Sequence, residues 1–342
     1  MLTYLKLFIF CFSCVLLLPV MSMGQVKVGF LVPVSGLGDQ SFNDITYAGI
    51  VKARNEFGFT LVVGQCEVGP LSHKYELENL LDEGVDIIVA NGWEFVDIVK
   101  EYALKNPEQI FILNDSAVAG FENVVSTVFS QHEGAFLAGT LAALVSKKDQ
   151  IGFVGGMDIP VISSFYNGFV EGVHYINNDI EVIPKYLNGD GKIGIGFHNP
   201  KRGYRVAHEL YDEGVDIIFS VAGLSGNGVI RAAAERKRYV IGVDADQDHM
   251  AKGYVLTSVM KRLDKAVYTV LSEILESKVV PGISHFNLEN GGVSLTAMKY
   301  SRGVVTDEVR QKLHVVKEKI IAKEINVTDY LKISSSSGKN NK

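Results

Sequence analysis

The chain alternates between short runs of β-branched and aromatic residues and longer stretches in which apolar side chains recur every three or four positions. The short runs have the length and composition of buried strands, and the longer ones the period of helices packed on one face. Val26 to Val32 is the first such strand, ended by Pro33. A glycine-bearing loop, Val34 to Gln40, leads to Ser41, which is placed to cap a helix from Phe42 to about Phe57. Leu61 to Val63 is a strand, and Leu77, Leu80 and Leu81 have helical spacing. Ile87 to Ala90 is a strand closed by Asn91-Gly92. Glu94 to Leu104 is a helix that ends at Pro107, and Ile110 to Leu113 and Val124 to Phe129 are further strands. Strand and helix alternate throughout, which predicts a doubly wound parallel sheet.

The pattern then repeats. Asp82 to Ile88 and Asp212 to Ile218 both read DEGVDII. Each copy ends a helical stretch, turns at a glycine, and opens a short apolar strand. Identity over such a unit points to two related halves. In the second half Gln131 to Val145 is a helix with small residues on several faces, as expected of one packed all round. Ile151 to Gly156 is a strand like the first, Ser164-Phe165 opens a helix as Ser41-Phe42 does, and Glu181 to Ile183 is a strand. A helix around Val206 to Asp212 precedes the second DEGVDII. Tyr239 to Val243 is a strand ending at Asp244, as Ile110 to Leu113 ends near Asp115, so the two aspartates hold equivalent places.

Beyond the repeat the chain crosses between halves again. Tyr254 to Val259 is a strand, Asp264 to Ser277 a helix, Gly291 to Leu295 a strand, and Thr306 caps a last amphipathic helix to about Lys323. The expected organisation is a processing segment at 1–24, lobe one from 25–129 plus 255–285, lobe two from 130–254 plus 286–325, and a polar, disordered tail at 326–342.

Composition changes this picture at the ends. Lys6 and the apolar run Leu7 to Val20, followed by Ser22-Met23-Gly24, read as a secretory signal. A membrane anchor is the rival, but a span normally takes roughly 18 or more apolar residues and no proline within so short a run. Cys11 and Cys14 lie in this segment, and lipidation at Cys14 is left open as a route to membrane attachment. Cys66 is the remaining cysteine, so no internal disulfide is expected in the exported chain. The net charge of −6 argues against a nucleic-acid partner.

Motifs for catalysis are missing. The glycines after the first strand are Gly36 and Gly38, with Ser41 where a dinucleotide fingerprint needs its third glycine. Gly223 to Gly228 has glycines in the wrong order for it. There is no phosphate-binding lysine loop and no paired-histidine zinc motif. Asp244-Ala245-Asp246-Gln247-Asp248 starts like a calcium loop, yet His249 and Val255 stand where glycine and glutamate are required. No catalytic residue, cofactor or metal is therefore expected.

A binding cleft is better supported, because ligands of open α/β sheets sit outside the carboxyl ends of the strands. Those ends supply Asp39, Ser41, Phe42, Asn43, Asn91 to Trp93 and Asp115 from the first half. The second half supplies Phe197, Gly223 to Asn227 and Asp244, with Lys261 after the crossing strand. Carboxylates, an ammonium and phenyl faces suit a small polar ligand bearing a flat ring. Each of these residues also has a plain structural reading, as core, cap, turn or solvated charge.

At these same residues the sequence resembles the basic membrane protein family of exported purine nucleoside receptors. The resemblance rests on Gly38-Asp39-Gln40-Ser41-Phe42-Asn43, Glu133 to Gly139, Ile151 to Met157, Ile241 to Gln247, and Thr257-Ser258 with Lys261. It departs at Gln40, where lysine is usual, and between Gly189 and Asn199. The resemblance implies the type I periplasmic binding protein fold, two Rossmann-like lobes joined by crossing strands. It further implies a monomeric receptor that delivers inosine, guanosine or adenosine to an ABC transporter permease from the periplasm or cell surface. By the same resemblance Phe42 and Phe197 would stack on the base, Asp115 would read its edge, and Asp244 and Lys261 would hold the ribose. Asn43 would complete the contacts of the first lobe. Two alternatives stay open: another small solute such as a sugar on the same fold, and a surface adhesin or sensory protein.

Overall fold

The computed structural model describes residues 25–69, 71–188, 193–278 and 281–332. The expected signal and the last part of the expected tail lie outside the described residues. Lobe one begins with β1 (Lys27–Val32), α1 (Phe42–Phe57), β2 (Thr60–Gln65), α2 (Ser72–Asp82) and β3 (Ile87–Asn91). It continues through α3 (Val96–Lys105), β4 (Ile110–Asn114) and β5 (Val124–Phe129). The chain then enters lobe two: α4 (Gln131–Val145), β6 (Gln150–Gly155), α5 (Pro160–Ile176), β7 (Glu181–Tyr186), α6 (Pro200–Asp212), β8 (Ile217–Val221), α7 (Leu224–Arg236), β9 (Tyr239–Asp244) and β10 (Val255–Lys261). Helix α8 (Leu263–Leu275) and β11 (Gly282–Phe286) return to lobe one, and β12 (Val293–Leu295) and α9 (Asp307–Ile321) to lobe two.

Two six-stranded sheets result, ordered β2-β1-β3-β4-β5-β11 and β7-β6-β8-β9-β10-β12. The first is parallel throughout, and in the second only β12 runs against its neighbour. Strand side chains alternate between faces, so each sheet builds two cores. Val28, Phe30 and Val32 pack with α1 and α8, whereas Leu31 packs on the opposite face with α2 and α3. In lobe two Ile217 and Phe219 join the core under α4 and α5, and Ile218 joins the one under α6 and α7.

The DEGVDII copies do the same work twice. Gly84 and Gly214 take φ of 67° and 104° after α2 and α6, a left-handed turn that a Cβ would strain. Val85 and Val215 then enter the core. The carboxylate of Asp86 accepts the backbone N–H of Lys27 (2.7 Å), and that of Asp216 accepts Lys147 N–H (2.9 Å) and the Ser146 hydroxyl (2.7 Å). Each aspartate thus ties the start of its strand to the segment that leads into the first strand of its lobe.

Several expectations are corrected. β10, expected to open the return into lobe one, hydrogen-bonds to β9 and β12 and is the fifth strand of lobe two, the counterpart of β5. The return starts after Lys261. Strand β11 was not expected at all. Helix α5 begins at Pro160, so Ser164 and Phe165 lie inside it, not at its start. Residues 224–236, expected as a glycine-rich loop at their start, form α7. Its glycines serve close helix packing, since a Cβ on Gly228 would collide with the Pro200 carbonyl of α6. The tail is not loose from 326: Glu171 accepts Thr328 N–H (3.1 Å) and the Tyr330 hydroxyl (3.2 Å), and Val327 packs on the core of lobe two.

Helix α4 carries the chain from one lobe to the other and is buried from Gln131 to Ala142. Its fit against α5 depends on absent side chains. A Cβ on Gly139 would meet the Phe169 carbonyl, and one on Gly172 the Phe136 carbonyl. Contact this close fixes the first crossing segment against lobe two. Among the described residues no helix is long and apolar enough to cross a membrane.

Candidate functional site

The carboxyl ends of both sheets face each other across a cavity lined by residues of both lobes. Its lobe-one wall starts in the loop before α1. Asp39 is wholly buried, and its carboxylate accepts the backbone N–H groups of Ser41 (2.9 Å), Asn43 (2.8 Å) and Asp44 (3.1 Å). Asp39, and not Ser41 as expected, therefore caps α1. Burial pushes the Asp39 carboxyl up to about 7, against the pull of those three donors.

The Ser41 hydroxyl is used elsewhere. It donates across the cleft to Asp244 Oδ2 (2.7 Å). Two more bonds join the lobes beside it, from Asn227 Nδ2 to the Asp39 carbonyl (3.2 Å) and from Gln247 Nε2 to the Gln40 carbonyl (3.1 Å). The lobes are thus closed on each other by the loop that carries the D-x-S-F-N residues.

Asn43 is the second departure from expectation. It does not line the cavity but anchors a buried ladder beneath it. Asn91 Nδ2 donates to Asn43 Oδ1 (2.9 Å), Asn114 Nδ2 to Asn91 Oδ1 (2.9 Å), and the Thr127 hydroxyl to Asn114 Oδ1 (2.5 Å). Asn91 and Asn114 are register partners at the ends of β3 and β4, and Thr127 is the partner of Asn114 within β5. The ladder ties the three strands together, and Thr127 also accepts the backbone N–H of Asp115 (3.3 Å).

Asp115 and Asp244 stand at equivalent strand ends and share a rare backbone geometry, with φ of 61° and 65°. Both line the cavity, and so does Lys261. Lys261 is 2% exposed and its Nζ lies 2.5 Å from Asp115 Oδ2. The same ammonium lies 5.9, 5.3 and 5.4 Å from the ring centroids of Phe42, Phe129 and Phe165. Burial raises the carboxyls of Asp115 and Asp244 above the ordinary range, Asp244 to about 6, and the Lys261 charge opposes both shifts.

The phenyl rings complete the wall. Phe42 comes from lobe one, with Gly92 and Trp93 beside it, and Phe197 and Phe165 come from lobe two. Phe197 lies in a 3-10 turn spanning Ile195–Phe197 and is seated against Gly156, where any Cβ would strike its ring. A Cβ on Gly223, also in the wall, would come into van der Waals contact with the Phe197 side chain. Of the ten expected residues, Asp39, Phe42, Trp93, Asp115, Phe197, Gly223, Asp244 and Lys261 meet at the cavity, while Ser41 and Asn43 support it from behind.

Such a site has the chemistry of a receptor: phenyl rings, carboxylate acceptors and one buried ammonium, divided between two lobes. The comparisons with known proteins agree. Residues 25–330 match the Bmp family, described as ABC transporter substrate-binding protein PnrA-like. The chain belongs to this family. It is 32% identical over 294 residues to basic membrane protein A of Borreliella afzelii, a match covering 84% of this chain and 87% of the relative. It is also 32% identical over 294 residues to basic membrane protein A of Borreliella burgdorferi, covering 84% and 83%. A crystal structure of an ABC transporter solute-binding protein from Aeropyrum pernix K1 superposes with a TM-score of 0.80 at 27% identity, covering 92% of this chain and 98% of that one. The Bmp chain thus has the type I periplasmic binding protein fold and the architecture of a substrate-binding component.

Phe165 and Glu94 are among the wall residues outside the ten expected ones. Phe165, for which core and site are equally open readings from the sequence, is both: it packs in the core of lobe two and reaches the cavity. Glu94 was read only as a helix start. Its side chain is buried in the cavity wall, with Oε2 3.1 Å from His73 Nε2. Neither had a local signal, since both depend on where lobe two closes on lobe one. Among the described residues no cluster of three or more histidine, cysteine or acidic side chains could hold a metal. The carboxylate of Asp248, in the calcium-like stretch, is bonded to the Thr296 hydroxyl.

Proposed function

We propose that this family member is an exported receptor that binds a purine nucleoside between its lobes and delivers it to the permease of an ABC transporter. The observation that supports the reading is the presence of Phe42 and Phe197, one from each lobe, in the wall of a cavity also lined by Asp115, Asp244 and Lys261. A planar base fits between phenyl faces, and ribose hydroxyls are matched by carboxylate acceptors and an ammonium donor. Contacts from both lobes to one ligand favour the closed form, which is the form a permease can distinguish. The leading segment, read as a secretory signal, supports a location outside the cytoplasm, and in this reading the receptor acts as a monomer without catalysis.

The test is mass spectrometry of small molecules released from denatured, freshly purified protein, followed by calorimetric titration of the emptied protein. Inosine, guanosine or adenosine released near one per chain, and rebinding, supports the reading. An empty protein whose melting temperature ignores every nucleoside removes it in favour of another solute or a surface-interaction role. Free base accumulating during incubation would instead indicate a hydrolase.

A further inference from the structure

We propose that Glu94, positioned by His73, is the residue that selects among purines, and that it selects a ring presenting two adjacent N–H donors, as guanine does. The inference rests on the nucleoside reading and adds a preference to it. Glu94 lies in the cavity wall with its side chain 5% exposed. Oε2 is held by His73 Nε2 at 3.1 Å, and the His73 ring is itself fixed edge-on against Phe95. Among the described residues no donor reaches Oε1. In the closed form the backbone of Gly194 lies over that oxygen, so close that a Cβ there would collide with it. With Oε2 held by His73, Oε1 is left free in the cavity wall to accept a hydrogen bond from a ligand.

The surroundings specify the donor. Gly194 begins the turn that carries Phe197, whose N–H bonds to the Gly194 carbonyl at 2.9 Å. On lobe one, Gly92 lies against the edge of the Phe42 ring, two residues before Glu94. The carboxylate therefore stands beside the space between the two phenyl faces, where the edge of a stacked ring comes to lie. Asp115 meets the ligand differently, because its carboxylate already holds the Lys261 ammonium, whereas Glu94 is bonded through Oε2 to the His73 ring. A carboxylate accepts two parallel hydrogen bonds. The guanine edge offers N1–H and N2–H side by side, the hypoxanthine edge offers N1–H alone, and the adenine edge sets an N1 lone pair against the carboxylate. Guanosine is preferred, inosine follows, and adenosine is last. A site built to pair with a donor discriminates strongly against a ring that lacks it.

The test is calorimetric titration of guanosine, inosine and adenosine into wild-type protein, Glu94→Gln and Asp244→Asn. Wild type binds guanosine at least about tenfold more tightly than adenosine. Glu94→Gln loses roughly ten- to a hundredfold in guanosine affinity and narrows or reverses the ratio, since an amide can accept from N6–H and donate to N1 of adenine. Asp244→Asn weakens all three together. Equal wild-type affinities overturn the inference without any variant, and so does an unchanged ratio in a folded Glu94→Gln protein. In both cases the nucleoside reading stands. A wild type that binds no nucleoside removes both.

Discussion

Lys261, the last residue of β10 in lobe two, places its ammonium 2.5 Å from Asp115, the first residue beyond β4 in lobe one. The bond joins the two sheets at the cavity, and both side chains are nearly inaccessible. Removing one member of such a pair leaves an uncompensated charge, which typically destabilises by about 3–5 kcal/mol. Lys261→Met should therefore lower closed-form stability by that order, because Asp115 and Asp244 then share a pocket without a cation. The double variant Lys261→Met/Asp115→Asn should be less destabilised than the sum of the singles. Urea unfolding of wild type, both single variants and the double variant checks this. Nucleoside affinity should fall at least about a hundredfold in Lys261→Met, read by titration.

The pH dependence of stability follows from Asp39 and Asp244. Their carboxyls are raised from 3.8 to about 7 and about 6 by burial. Between the unfolded and folded values the native state keeps a proton that the unfolded chain has lost. Stability contributed by the protonated groups is therefore full below the unfolded value, falls as pH rises through each window, and levels off above the folded value. Asp244→Asn, which mimics the protonated form, should match wild type near about pH 4 and exceed it near about pH 8 in unfolding free energy of the ligand-free protein. A difference that does not change with pH would refute the assignment.

The polar ladder under the cavity gives a prediction about stability at a distance from any ligand. Asn114 donates to Asn91 and accepts from Thr127, all three wholly buried. Asn114→Ala leaves the Asn91 carbonyl and the Thr127 hydroxyl without these partners and should cost about 3 kcal/mol in chemical unfolding. Because Thr127 also holds the Asp115 backbone, the same variant should weaken nucleoside binding, although Asn114 does not line the cavity.

The strand–helix alternation was legible because burial on both sheet faces leaves strands as apolar runs. The doubled DEGVDII marked the symmetry for a physical reason: each of its residues repeats one task, a glycine turn, a core valine, an aspartate tether. Following that symmetry further assigns β10 to lobe two, since β5 follows Asp115 as β10 follows Asp244. What was illegible is of another kind. Strand β11 reads Gly282-Ile283-Ser284-His285-Phe286, an edge strand half exposed and without an apolar run. The glycines of α7 look like loop residues until α6 is seen against them. Ser41 has every local mark of a helix cap, and only its contact with Asp244 in the other lobe explains why Asp39 does that task.

At the site, residues at strand ends could be named in advance because topology puts strand ends in the cleft. Whether a given polar side chain faces ligand or supports its neighbours could not. Asn43 and Phe42 are adjacent, yet one is spent on Asn91 and the other lines the cavity. That division depends on the pitch of α1 against β3, which no spacing in the sequence reports.

The interleaving of the lobes has a consequence for synthesis. Strand β11, which covers the edge of β5, is encoded after all of lobe two except β12 and α9. A growing chain presents lobe one with the β5 edge bare, and with the core under α8 open, while most of lobe two is being made. Bare edges pair with other chains. The first lobe is therefore completed late in synthesis, and a truncation anywhere before Phe286 removes part of its sheet as well as the end of the second lobe.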